Sequence, residues 1–90
     1  MADEAVDKSN GVASLDSVRE AFVTALDLSA ETNVDALEIG VTPEWDSLGH
    51  MALVAELEDR FGIALDTDDL VAMSSFAVSI EILRRYGVEV

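Results

Sequence analysis

The chain has no cysteine, which excludes disulfide staples, thiolate zinc sites and cysteine nucleophiles. Cysteine-free composition fits a reducing cytosol. Bases are scarce as well, five against nineteen acids, and the net charge is −14. Nucleic acid and anionic membrane surfaces carry the same sign, so neither is an expected partner. Basic protein surfaces or divalent cations are the natural counterparts, although acidity also keeps a small protein soluble. No apolar run approaches the roughly 18–20 residues that span a membrane. The N-terminal MADEAVDKSNG is acidic and lacks the basic-then-apolar order of a signal peptide, so the expected location is the cytoplasm. Convincing strand alternation is missing too, as are internal repeats and low-complexity tracts.

What is present is one domain's worth of helical pattern. Ninety residues, half of them apolar, bury roughly 60–68% of the surface their unfolded chain exposes. Residues 1–13 show no period and read as a disordered acidic tail; residues 14–90 read as the folded domain. Leu15, Val18, Phe22, Ala25 and Leu26 recur at helical spacing and predict helix 1 over about 15–28. Its start is either capped by Ser14 or set by a Ser17–Glu20 capping box. Residues 29–46 form a long connection ending near the only proline, Pro43. Loops beyond ~12–15 residues are uncommon and usually functional. Val34, Leu37, Ile39 and Val41 are expected to pin this one over the core, with one short helical turn.

Helix 2 is predicted from about Ser47 to Phe61, with Asp46 as N-cap and Gly62 as C-terminal stop. It carries two apolar stripes. Leu53, Leu57 and Phe61, with Val54 beside them, face one way. Leu48, Met51 and Ala55 face another, at about 100° per residue more than a quarter-turn away. One stripe suffices for a helix on a single core; the second needs another partner. The stretch DTDDLVAM predicts a short helix 3 over 67–72, with Asp66 as N-cap. Ser74 or Ser75 then starts the last helix, about 76–86, with Phe76, Ile80 and Leu83 on its core face, Arg84 and Arg85 in its last turn and Gly87 ending it. The expected fold is all-α: a monomeric four-helix bundle of three main helices and a short third one, with a long loop between helices 1 and 2.

Four kinds of chemistry can be asked of these residues. A hydrolase built on Ser47 and His50, three residues apart on helix 2, lacks a G-x-S-x-G elbow and an evident orienter for its base; the simpler reading of His50 is a partly exposed helix residue. A calcium loop starting at Asp66 fails, because its sixth and twelfth positions are Val71 and Ala77 rather than glycine and glutamate. The carboxylates of Glu56, Glu58 and Asp59 read as a solvated or docking face, with Glu56 and Arg60 forming an i,i+4 pair. Ser47 itself stands at the positive end of the helix macrodipole. It is most simply a capping-region serine there, but the same place favours a phosphate ester.

The segment D-S-L-G-H-M-A-L-V-A-E-L-E-D-R-F-G-I (46–63) resembles the acyl carrier protein family, whose signature is D-S-L followed by aspartate or glycine and an apolar helix ending in E-x-x-F. Helix 1, the long loop, the short helix DTDDLVAM and the S-F-x-x-x-I start of helix 4 fall at the family's spacing, so the resemblance covers about 14–86. It implies a four-helix bundle that catalyses nothing itself. It also implies 4′-phosphopantetheine on the D-S-L serine, here Ser47, with no metal. The cargo would be acyl or aminoacyl groups held as thioesters. Partners would be a phosphopantetheinyl transferase and acyl-loading, acyl-transfer or condensing enzymes with basic docking surfaces. By position the docking residues would be Asp46, Leu48, Met51, Ala55, Glu58, Asp59, Asp68 and Asp69. Fatty-acid carriers usually place acids two and five residues after the serine; here Gly49 and Ala52 stand there. Trp45 is also unusual for such a carrier, and large enough to cover the loop. These departures resemble specialised free-standing carriers. The rival readings are a peptidyl or D-alanyl-type carrier and an acidic helical interaction module without a prosthetic group.

Overall fold

The computed structural model describes residues 14–90, so the expected tail at 1–13 lies outside the described residues. Among the described residues four α-helices follow in chain order: α1 Leu15–Leu26, α2 Ser47–Phe61, α3 Thr67–Ala72 and α4 Phe76–Arg85, with a 3₁₀ turn at Val34–Ala36 in the long loop. Among the described residues there is no strand, only an isolated antiparallel bridge between Glu38 and Ser75. The all-α fold expected from the apolar spacing is the fold observed.

The helix ends follow local chemistry. Ser14 is the N-cap of α1, its side chain accepting from the Ser17 N–H at 3.2 Å. The helix stops two residues earlier than the apolar period suggests. Asp27 takes a left-handed conformation (φ 54°), which Asp tolerates better than most side chains, and this turns Leu28 back into the core. Asp46 caps α2, accepting from the Gly49 N–H at 2.8 Å, a contact of about 1 kcal/mol in such helices. Gly62 closes α2 at φ 66°. Ser75 caps α4, Tyr86 is its C-cap, and Gly87 ends it in a left-handed conformation (φ 89°), as expected.

The core gathers Val18, Ala21, Phe22 and Leu26 of α1, Leu53 and Leu57 of α2, and Phe76, Ile80, Ile82 and Leu83 of α4. Phe22 stands at its centre, meeting Trp45 and Phe76 edge-on at 5.2 Å each, the geometry that ring quadrupoles favour. The long loop is fastened by Val34 and Leu37, both buried. Arg19 clasps it from α1 through Asp35 at 2.8 Å, and that hydrogen bond holds the Asp35 carboxyl below the usual carboxylate range. Two expected anchors fail. Val41 is 73% exposed, because residues 38–45 fold into a turn (Thr42 N–H to Glu38 O, 2.9 Å; Trp45 N–H to Thr42 O, 3.0 Å) that points it outward. Leu15, in the first turn of α1, is exposed as well.

Candidate functional site

Ser47 is the first residue of α2 and is exposed. The Asp46 cap engages the Gly49 N–H through its side chain and the His50 N–H through its carbonyl (2.8 Å each). That cap leaves the Ser47 and Leu48 N–H groups at the open, positive end of the helix. The second apolar stripe is off the core. Leu48 is 81% exposed and Met51 56%, and Ala55 is exposed too. Leu53, Val54 and Leu57 are buried on the other face.

His50 is not the partly exposed residue its polarity suggests; it is buried. The Trp45 indole N–H donates to its Nδ1 at 2.9 Å, and its Nε2 lies 2.8 Å from the Leu70 carbonyl oxygen. An indole N–H only donates and a carbonyl only accepts, so Nε2 carries the proton and donates to Leu70. Both ring nitrogens are thus engaged, and neither partner is Ser47. The Ser47–His50 pair a hydrolase would need is not formed. Trp45 is fully buried rather than laid over the loop. His50 has a sequence signal of its own: with Leu53, Val54 and Leu57 it completes an i, i+3, i+4, i+7 set.

Gly49 is a place of close approach. A Cβ there would overlap the Glu44 carbonyl oxygen and stand 3.0 Å from Leu26 Cδ2 and 3.3 Å from Asp46 Oδ1. The missing acid two residues after the serine therefore has a steric reason as well as an electrostatic consequence.

The acids expected to dock divide into two groups. Asp46, Asp59 and Asp68 are exposed. Glu58 is half-buried and its carboxylate accepts from the Leu65 N–H at 2.9 Å, closing the α2–α3 link. Asp69 accepts from the Tyr86 hydroxyl at 2.7 Å and from Arg85 Nη2 at 2.9 Å. These two bonds, Tyr86 first, hold its carboxyl below the usual range. The Asp66 N–H, donating to the Tyr86 oxygen at 2.8 Å, favours the phenolate. Donation to Asp69 and burial outweigh it and hold the phenol above its usual range.

Ser47 is thus an exposed serine at a capped helix start, beside an apolar stripe that the described residues leave uncovered. A family model described as "Phosphopantetheine attachment site" matches residues 16–83. The chain belongs to the phosphopantetheine-attachment family. The matched span takes in α1, the long loop, α2, α3 and most of α4. The domain is therefore a site of 4′-phosphopantetheine attachment, and members of this family are carriers rather than catalysts. They work with transferases and biosynthetic enzymes. Searches among curated proteins and among solved structures return no significant match. No helix among the described residues is long and apolar enough to cross a membrane.

The residues present suit the group. Ser47 is exposed, and a phosphate there would meet the positive helix end. Asp46 is already committed to capping, so its carboxylate holds the helix start rather than competing for the serine.

Proposed function

We propose that this protein is an acyl or aminoacyl carrier whose 4′-phosphopantetheine is attached at Ser47. The observation that carries this reading is Ser47 itself, exposed at the start of α2 within the matched family span. When attached, the arm supplies a terminal thiol that holds cargo as a thioester. The chain's own residues anchor and present it. Asp46 fixes the helix start, the macrodipole favours the phosphate, and Leu48, Met51 and Ala55 offer an apolar strip to partner enzymes. Asp59 and Asp68 supply exposed negative charge for basic docking surfaces. Glu58 and Asp69 border that face with their carboxylates bonded internally. The partners are a phosphopantetheinyl transferase and the loading, transfer or condensing enzymes of fatty-acid, polyketide or specialised lipid or metabolite synthesis in the cytoplasm.

The test is an intact mass spectrum after incubation with coenzyme A and a broad-specificity phosphopantetheinyl transferase, with Ser47→Ala alongside. The wild type should gain one phosphopantetheinyl group and the variant none. If the wild type gains nothing while a control carrier is loaded, Ser47 is a helix-start residue only and the acidic interaction module is the better account.

A further inference from the structure

The short helix near Ser47 has little apolar anchoring of its own: its C-cap Met73 is buried in the core, but within the helix Leu70 alone among the apolar side chains is half-buried. None of the six residues of α3 is buried, and a helix that short does not stand alone in water. Polar ties also hold it. Near its first turn are the Asp66–Tyr86–Asp69–Arg85 contacts already described. Near its other end the Leu70 carbonyl, one of the last-turn carbonyls without an intrahelical partner, accepts from His50 of α2. His50 is in turn held by Trp45, two residues before Ser47. The indole ring is locked in the core by Phe22, so the chain of bonds starts from a fixed point.

We infer that Trp45, Gly49 and His50 form one positioning device that sets where α3 stands relative to Ser47. Each member has a distinct part. Trp45 supplies a donor that cannot reverse. His50 accepts at Nδ1 and passes the constraint on through its Nε2–H. Gly49 lets the loop come close enough for this, because the Glu44 carbonyl occupies the space a Cβ would take. The result is a hydrogen-bonded path across three elements: the loop before the serine, the helix that bears it and the short helix beside it. The exposed Leu48 and Met51 of α2 and Asp68 and Val71 of α3 are thereby held in one register. The role of that register in docking rests on the carrier reading above; the device itself does not.

The experiment uses the apo protein, labelled with ¹⁵N, in wild type, Trp45→Phe and Gly49→Ala. Trp45→Phe keeps an aromatic ring in the core and removes the donor. In the wild type the His50 ring nitrogens should report a single Nε2–H tautomer, with the Trp45 indole proton protected from exchange. In Trp45→Phe, amide exchange in α3 should quicken by roughly tenfold, the weight of one hydrogen bond, while α1 and α4 keep their protection. Gly49→Ala should expose the Trp45 indole proton and give the same α3-selective pattern. An Nδ1–H or mixed tautomer in the wild type overturns the inference. So does a loss of protection spread evenly over all helices, or none in α3. With an active transferase, loading of Trp45→Phe should show a raised KM and an unchanged kcat, as expected when the competent arrangement is only partly populated. An unchanged KM overturns the link from the device to docking. If Ser47 is never loaded, the carrier reading fails, and the nitrogen and exchange results still decide the device.

Discussion

Asp69 reads in sequence as one acid of a helix N-terminus, but its carboxylate is the hub that joins α3 to the end of α4. Its acidity is shifted downward by the Tyr86 and Arg85 hydrogen bonds, and the sign of the consequence follows by linkage. A carboxylate with a depressed folded pKa contributes stability in full above its unfolded value. That contribution is lost as pH falls through the folded one. Asp69→Asn should therefore melt below the wild type by a constant margin from neutrality down to about pH 5. The margin should close as pH falls below 3.8, the ordinary carboxylate value. Thermal melts of both proteins across that range check it. A margin that persists undiminished at the acid end would mean that the ionised carboxylate is not what Tyr86 and Arg85 bind.

At the scale of the element, α2 serves two surfaces at once. Its inner face is Leu53, Val54 and Leu57; its outer strip is Leu48, Met51 and Ala55. Met51→Glu should leave stability within about 0.5 kcal/mol, as expected for an exposed position, while impairing transfer by partner enzymes. Parallel melts and loading or transfer assays separate the two effects, and a large drop in melting temperature would place Met51 in the core instead. The bounds of α2 are legible in sequence because chemical stops mark them, an aspartate cap before Ser47 and a glycine at Gly62. The end of α1 is not, because the apolar period runs on through Leu28 while Asp27 has already left the helix. His50 misleads because its polarity outweighs its register. The approach of the loop to Gly49 has no local signature: it depends on where Trp45 buries its ring, which is a tertiary fact. Within the site, the D-S-L motif marks Ser47. That Glu58 and Asp69 engage their carboxylates internally depends on which loop and which helix end lie next to them.

For the whole molecule, the net charge of −14 governs the response to salt. Arg19, Arg60 and Arg85 already pair with Asp16, Asp35, Glu20, Glu56 and Asp69, and the more exposed of these pairs contribute little each. Most of the remaining acids repel one another. Added salt, with a screening length of about 10 Å at 0.1 M, should weaken that repulsion more than it weakens the pairs. The melting temperature should rise with sodium chloride and more steeply with magnesium. Coincident melts at low and moderate salt would remove the claim.

The manner in which α3 is held has a thermodynamic corollary. None of its residues is fully buried and Leu70 alone among its apolar side chains is half-buried, so releasing it uncovers far less apolar surface than unfolding the core. Denaturant slope and heat-capacity change both scale with the surface newly wetted. Detachment of α3 is thus less sensitive to urea and less curved with temperature than unfolding of the core, which is steep in both. A local opening next to Ser47 would therefore have a cost that changes less than the stability of the core under conditions that strain the rest of the fold.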